Sequence, residues 1–594
     1  MPTVQKEYYR WIASCKLTNR RDSTQVRYFK EDLSRAIKWL RDNNITVIKA
    51  DKTKMLVLMK RNTYEKEMQE YIKDTRCVVQ PNNVIDKLHN KIKRFSNSKL
   101  ASTLGMRDIV MDAPDTPKLF AFAKTHKQGH KLRPVVDKAT APTRKLEAFM
   151  HDLISPKLQD YQYTISNPVE LIACLKNSEK PAYISVMDFR ALYPSIQLPL
   201  CFCALRDFLF CNVYNQELHQ QVLELAHLIC YSSIFHFGGT TYAQGRGVPM
   251  GSAVSGDLCE LVIRQLEDKT IPGFSHNILV YKRYIDDIII LWKNDPDITH
   301  FINQMNDNPY DLTIELEQHS DKEVHFLDLS ITFGGDTLET SVYRKACHFP
   351  MYIPANSCDP FRYKMAAFKA LVKRAHTHSS TQEALVQELN YILNIAGQQG
   401  FYNMVHKLAR HYSVGLPPPQ KGNSIEQDQP ITIVTYNPFL VSLYQKIAKK
   451  QGLRLSFRRC PSMFKLLRNE KDKPKEDKLP GVYAVPLVDH RFERQLIYIG
   501  ATKRSIGVRW AEHRSDIIHN RATTSLSTYA SDPEISVDFD NAKLLITTKF
   551  TDHIKWLEQM EICKAYNTAE PINSRDEITL SLAWQALLQK EDTH

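Results

Sequence analysis

Long apolar runs are missing from this sequence. Nowhere in its 594 residues do about 18 apolar side chains follow one another, the length that a membrane-spanning helix requires. The opening stretch MPTVQKEYYRWIASCKL carries charges where a secretion signal needs an unbroken apolar core, so a soluble protein made in the cytosol is expected. Cysteine has no pattern. The twelve cysteines are scattered, with no CxxC pair and only Cys201 and Cys203 close together, which excludes a disulfide framework and a zinc ribbon. Reduced, mostly buried thiols are expected instead. No internal repeat is visible.

What is present is length and positive charge. A chain of 594 residues is too long for one ordinary core, and its 43% hydrophobic content is that of a globular protein, so two to four domains are expected. Lys and Arg exceed Asp and Glu by 79 to 66, a balance that suits a polyanionic partner. Residues 1–110 read as mostly helical, with Ile45 to Ile48 and Met55 to Leu58 as a small hairpin. Between 117 and 345, β-rich and helical runs alternate. Residues 360–412 space their apolar side chains as helices do and carry many cations, predicting a helical bundle with a basic face. The run GLPPPQKGNS at 415–424 interrupts any helix or central strand and marks a domain boundary. A short connector at 432–460 follows. The charged stretch 468–478 then reads as a solvated linker.

Carboxylates carry the first chemical signal. The apolar run Tyr183-Ile184-Ser185-Val186-Met187-Asp188-Phe189 predicts a buried strand that holds one carboxylate rigidly at its end. In Tyr281-Lys282-Arg283-Tyr284-Ile285-Asp286-Asp287-Ile288-Ile289-Ile290, two apolar strands flank an acidic pair at a turn. Adjacent anions repel, so this placement makes sense mainly if cations neutralise them. Two-metal nucleotidyl transfer needs carboxylates from two strands to bridge ions about 3.5–4 Å apart, and Asp188, Asp286 and Asp287 would supply them.

Tyr284-Ile285-Asp286-Asp287 resembles the YxDD box of reverse transcriptases, and Asp188 to Ile196 is similar to that family's first aspartate block. Between them, Gly247-Val248-Pro249-Met250-Gly251-Ser252 resembles the glycine-rich block behind the incoming base. The resemblance covers roughly 117–412. It implies that Pro249, Met250 and Gly251 bind substrate, and that Tyr193 lies beneath the sugar of the incoming nucleotide. Residues 124–136 resemble the fingers, where Arg133 offers a planar fork for phosphate oxygens and Lys124 or Lys127 a point charge. His325-Phe326-Leu327-Asp328-Leu329 and Val342-Tyr343-Arg344-Lys345 resemble the palm-to-thumb transition of Penelope-like retroelement enzymes, which the methionine of the glycine-rich block also suits. Ala253 and Gly256 depart from the prolines often found after both serines of that block.

Near the C-terminal end, Gly481-Val482-Tyr483 and Tyr498-Ile499-Gly500 resemble the two signature triplets of GIY-YIG nucleases, and Arg509, His513, Glu558 and Asn573 follow at that family's spacing. The resemblance implies that Glu558 holds one divalent cation, that Tyr483 or Tyr498 positions or deprotonates water, and that Arg509 stabilises the phosphorane. Arg509 and His513 lie four apart on a helix begun near Ile506, so both can face one phosphate. Asn573 is taken with the substrate contacts. Glu561 rivals Glu558 for the metal, and the resemblance favours Glu558, because Ile562 follows it at four and Asn573 at fifteen as in that family. No cysteine lies between the triplets, so zinc is not expected there.

The expected fold is multidomain α+β: a right-hand polymerase of fingers, palm and helical thumb, followed by a small α/β nuclease of the GIY-YIG type. Its divisions are a helical region at 1–110, fingers and palm at 111–345, thumb at 346–412, linker and connector at 413–479, nuclease at 480–576 and a tail at 577–594. Two magnesium ions would serve the polymerase site and one the nuclease. Template RNA, primer or target DNA and deoxynucleoside triphosphates are the expected partners, with no membrane, and the substrate implies residence in the nucleus. Two rivals are a palm kept only as an RNA-binding scaffold, which would have lost a carboxylate, and a telomerase-like enzyme, which would need no nuclease.

Overall fold

A computed structural model describes residues 27–573 and 580, except 54, 82, 113, 126–130, 213–214, 335–336, 346–349, 414–428, 439, 459–461, 472–478 and 548–552. Its centre is a four-stranded antiparallel sheet in the order Ile314–Ser320, Tyr183–Phe189, Asp287–Trp292, Ile278–Tyr284. The two inner strands are apolar at nearly every position because both faces of the sheet are covered. Met187, Phe189, Ile288 and Ile290 enter one core with the helices Leu198–Asn212, His219–Tyr231 and Ser255–Thr270. Ile184, Val186, Ile289 and Leu291 point the other way, onto Leu171, Ile172, Val324 and Ile331. Fully burying Ile288, Ile289, Ile290 and Leu291 contributes about 1.5–3 kcal/mol each, or about 6–12 kcal/mol together. The four together exceed the repulsion of two carboxylates, about 4 kcal/mol at ~4 Å in an effective dielectric near 20, so the acidic strand ends stay together.

The stretch expected to form the fingers holds a five-stranded sheet in the order Val78–Val79, Thr240–Ala243, Ile234–Phe237, Lys118–Ala123, Leu132–Asp137. The expected hairpin forms from Ile45–Lys49 and Leu56–Lys60. The division expected at 110 is not a physical boundary. Val78–Val79 pairs with Thr240–Ala243, and Ala50 bridges to Ala123, so the early segment joins this sheet.

A three-stranded sheet, Glu323–Phe326, Leu329–Gly334 and Thr337–Val342, leads to a bundle of the helices Phe361–His378, Gln382–Gln398 and Tyr402–Ser413. Asp328 ties the two together, accepting from Arg374 Nη1 at 3.4 Å and contacting His378 Nε2 at 3.2 Å. Burial opposes charge on Asp328, but His378 and Arg374 hold its carboxyl below the usual range. The break at 415–424 lies outside the described residues.

The connector is more ordered than its sequence suggested. Ile431–Thr435 and Arg454–Arg458 pair in parallel across the helix Val441–Lys450, and Tyr363 and Arg362 of the bundle bond to the carbonyls of Phe457 and Leu455. The solvated linker expected at 468–478 also needs correction at its start. Asn469 brackets the edge of Ile45–Lys49, accepting from Val47 N at 2.8 Å and donating to Ile45 O at 2.9 Å. Lys471 pairs with Asp137 at 2.5 Å and lies 3.9 Å over the Phe120 ring. The side chains of an apparently hydrophilic run thereby satisfy backbone groups that a strand edge leaves open.

The C-terminal unit is a five-stranded sheet built around Gly481–Asp489 and Arg494–Thr502, with the helices Ile506–Ile518 and Ile554–Thr568 beside it. No helix among the described residues is long and apolar enough to cross a membrane.

Candidate active site

The three aspartates meet at one end of the central sheet. Asp287 stands opposite Asp188 in the antiparallel register, and Phe189 N donates to Asp286 O at 3.0 Å across the same strand pair. A carboxylate oxygen from each of Asp188, Asp286 and Asp287 lies within 4.8 Å of the others. Burial, then the charge of Asp286, pushes the Asp287 carboxyl up to about 6. An all-oxygen donor set of this kind suits a hard divalent ion such as magnesium.

Two features of this centre were not anticipated from sequence. Ile285, at the turn, has φ +57°, a strained value for a β-branched residue. Its carbonyl is gripped by Arg283 Nη1 at 3.0 Å. Arg283 is itself fully buried and bonded to Glu267 at 2.7 and 2.9 Å and to Glu260 at 2.8 Å, both on the helix Ser255–Thr270. The signal existed: an arginine inside an apolar strand requires anions, and Glu260 and Glu267 stand seven apart on one helix face.

The glycine-rich block closes the floor. Gly251 has φ +114°, and a Cβ there would lie 2.2 Å from Val136 O; at Gly247, φ +74°, it would lie 2.6 Å from the Pro194 Cα. Met250 O accepts from Val136 N at 2.8 Å, and Pro249 O accepts from Ser255 Oγ at 2.8 Å. The block thus joins the strand bearing Arg133 to the segment bearing Tyr193. Despite Ala253 and Gly256, the following helix starts at Ser255. Gly256 lies beside the Tyr193 hydroxyl, where a Cβ would make an ordinary contact at 3.6 Å. Burial, with Cys259 and Asp286 nearby, raises the Tyr193 phenol to about 12, so it stays neutral.

Arg133 lies in Leu132–Asp137 and pairs with Asp51 at 3.3 Å. Lys124 closes the base of the preceding loop, its backbone N donating to Lys131 O at 2.8 Å. Lys127 lies outside the described residues.

A second cluster forms in the C-terminal sheet. Tyr483 faces Gly500 across the pair Gly481–Asp489 and Arg494–Thr502, and a Cβ on Gly500 would lie 2.6 Å from the Tyr483 hydroxyl. The Tyr483 hydroxyl is 2.7 Å from His513 Nε2, and the Tyr498 ring packs edge-on to the same imidazole. Burial raises the Tyr483 phenol, with the Tyr498 and Glu558 charges adding and Arg509 opposing. His513 is completely buried and pushed down to about 4, by burial first and Arg509 second, so it is neutral. It stands behind Tyr483 and orients it. Arg509 and His513 share the helix Ile506–Ile518 as expected, with Arg509 also bonded to Glu512 at 3.0 Å. Glu558 and Glu561 share Ile554–Thr568; Glu561 pairs with Lys564 at 3.0 Å, whereas the charge of Glu558 is felt at Tyr483. Asn573, taken as a substrate contact, is buried and spends its amide on Ile499, accepting from N at 2.9 Å and donating to O at 2.8 Å. It grips the strand of the second triplet, acting as a missing neighbouring strand would.

Comparisons with known proteins bear on the first centre and on the helical bundle that follows it. Residues 125–327 match the family described as reverse transcriptase (RNA-dependent DNA polymerase), and residues 351–404 match the animal helix-turn-helix domain. The telomerase reverse transcriptase of Takifugu rubripes is 26% identical over 170 residues, covering 27% of this chain and 16% of that protein. A structure of telomerase from Candida albicans with a TWJ fragment of telomeric RNA aligns at 11% identity and TM-score 0.42, over 61% of this chain and 64% of that one. Apo telomerase from Candida tropicalis aligns at 12% identity and TM-score 0.37, over 62% and 65%. The chain therefore spans less than two thirds of these relatives. The family match encloses Asp188, Asp286, Asp287, Arg133 and the glycine-rich block together, and this chain carries a reverse transcriptase domain.

Proposed function

We propose that this chain is the RNA-templated DNA polymerase of a retroelement, most similar in its motifs to the Penelope-like group, and that its C-terminal unit is a DNA-nicking endonuclease of the GIY-YIG type. The observation that carries the polymerase reading is the convergence of Asp188, Asp286 and Asp287 inside the matched family stretch. Magnesium held by these carboxylates would supply charge neutralisation for the triphosphate and a lower pKa for the primer hydroxyl. The chain's own residues do the rest. The strained Ile285 turn fixes Asp286 and Asp287, Arg133 offers a fork to phosphate oxygens, and the Pro249-Met250-Gly251 backbone gives the nucleotide a flat floor.

In the second cluster, Glu558 would hold a single divalent ion, Arg509 would face the phosphate, and Tyr483, oriented by neutral His513, would position the attacking water. A nick leaves a 3′ hydroxyl on target DNA, which the polymerase extends while copying element RNA. The similarity to telomerase favours a second reading, extension of existing DNA ends, which has no use for the second cluster.

Two assays on one preparation test this. Asp286→Asn should abolish primer extension on an RNA template, by a factor of about 10³ or more, and leave plasmid nicking intact; Glu558→Gln should do the reverse. Nicking that survives Glu558→Gln but is lost in Glu561→Gln would reassign the metal ligand. A chain that extends primers and never nicks would favour the telomerase-like reading.

A further inference from the structure

One helix reaches both flanks of the glycine-rich block. On Arg144–Ile154, Glu147 and His151 stand four apart and so share a face. Ser252, just past Gly251, donates from Oγ to Glu147 Oε2 at 2.8 Å. His151 Nδ1 lies 2.8 Å from Asp257 Oδ2, in the first turn of Ser255–Thr270. The other Glu147 oxygen, Oε1, accepts from Thr143 Oγ1 at 2.7 Å and from Lys138 Nζ at 2.5 Å. Lys138 is the residue after Leu132–Asp137, the strand that carries Arg133. Glu147, Thr143 and Lys138 are all buried.

Burying a carboxylate with an ammonium is costly, and a well-packed apolar pair of similar volume often serves stability as well or better. A charged pair kept here points to geometry instead, because bonds from three donors fix the carboxylate where packing alone would let it slide. Two chain segments depend on it. One is the end of the strand bearing Arg133, held at Lys138, and the other is Pro249-Met250-Gly251-Ser252, held at Ser252. The backbone joins these segments once already, through Val136 N and Met250 O at 2.8 Å. A Cβ on Gly251 would lie 2.2 Å from Val136 O, so no side chain wedges them apart and the bonds between them set their spacing. One such bond leaves a hinge, and the Glu147 bridge closes it. We propose that Glu147 is a positioning residue for nucleotide selection, acting through Ser252 and Lys138 to fix the height of the Pro249-Met250-Gly251 floor against the strand that carries Arg133. This rests on the polymerase reading of the same centre. A matched base pair fills a gap of set height, whereas a mismatched one needs a gap that gives. A floor held at two points rejects the mismatch; held at one, it tolerates the mismatch and aligns the matched nucleotide less well.

The test uses the full chain with primer and RNA template, and measures single insertions of matched and mismatched deoxynucleoside triphosphates. Ser252→Ala breaks the bridge and leaves the Lys138–Glu147 pair in place. It should melt as the parent does, raise KM for the matched nucleotide about tenfold while lowering kcat far less, and reduce discrimination against mismatches about tenfold. Ser252→Thr, which keeps the hydroxyl, should recover most of both. Removing Glu147 alone strands a buried ammonium, so the second variant removes both charges. Lys138→Met with Glu147→Met should fold, since no buried charge is left unpaired, and should show the same two losses. A bridge that only stabilised the fold would shift melting and leave KM and discrimination of the folded enzyme at parental values. Parental KM and discrimination in folded Ser252→Ala and in the double variant would overturn the role of Glu147 and leave the polymerase reading intact. A parent chain that extends no primer would sink both.

Discussion

Tyr193 shows how one side chain acquires a role from its neighbours. Its ring lies on the apolar core, its hydroxyl lies beside Gly256, and its charge-free phenol stands near Asp286 and Arg133. With Asp188 fixed at the end of its strand, a ring five residues on can fill the volume that a 2′ hydroxyl would need. Exclusion of this kind disappears when the ring goes. Tyr193→Ala should therefore accept ribonucleotides at least tenfold better relative to deoxyribonucleotides, measured as the ratio of kcat/KM values in primer extension. A folded variant that rejects ribonucleotides as the parent does would move the gate elsewhere. At His513 the consequence is a pH dependence. Its folded pKa of about 4 lies below the ordinary value near 6.5, so in that window the unfolded chain binds more protons. Stability is then complete above pH ~6.5 and falls as pH drops toward 4, by up to about 1.4 kcal/mol per unit from this group. Thermal unfolding of the C-terminal unit should occur at lower temperature at pH 5 than at pH 7.5, and the difference should shrink in His513→Gln. An unchanged difference in that variant would assign it to another group.

At the level of elements, the sequence was most legible where pattern and chemistry coincide. The Tyr183–Phe189 strand, the acidic turn, the early hairpin and the helix bearing Arg509 and His513 all stand where their periodicity put them. Long-range pairing was not legible, because nothing local in Val78–Val79 or Asn469 announces the strand edge each will meet. The same limit applied to the cations of the helical bundle, all of which seemed available for nucleic acid. Lys364 is instead buried on the Ala355 carbonyl at 2.8 Å, Arg374 pairs with Asp328, and Arg362 donates to Leu455 O. Lys369, Lys373, Lys407 and Arg410 stay exposed. If those cations meet the template–primer backbone, log affinity should fall with log salt by roughly 0.7–0.9 for each phosphate neutralised. Lys369→Ala with Lys373→Ala should lower that slope by about 1.5, whereas Lys364→Ala should destabilise the bundle and leave the slope of the folded fraction alone. Equal slopes in the parent and the double variant would place the duplex on another face.

Over the whole molecule, the anchored start of the linker constrains how the two proposed activities would share one target. Asn469 and Lys471 are fastened to the fingers, and Leu479 O accepts from Ile506 N within the C-terminal unit, so only residues 472–478 separate the two attachments. At roughly 3.3–3.6 Å per residue, the C-terminal unit stays within about 30 Å of its anchor even when that stretch is fully extended. Without the anchor, the nearest fixed point upstream is the helix Met463–Leu467, which packs on Ile45–Lys49, and this leaves the eleven residues 468–478 as tether. Local concentration falls with about the −3/2 power of tether length, so lengthening it from seven residues to eleven should lower it roughly twofold. The variant Asn469→Ala with Lys471→Ala should therefore nick plasmid and extend a supplied primer as the parent does. Only the product that needs both sites in succession, complementary DNA covalently joined to the nicked strand, should fall, by about the same factor. The comparison must use enzyme dilute enough that a second molecule does not extend the nick. A joined product at the parental level, from a variant whose Asn469 contact is shown by proteolysis to be released, would mean that the nicked end finds the polymerase without help from the linker.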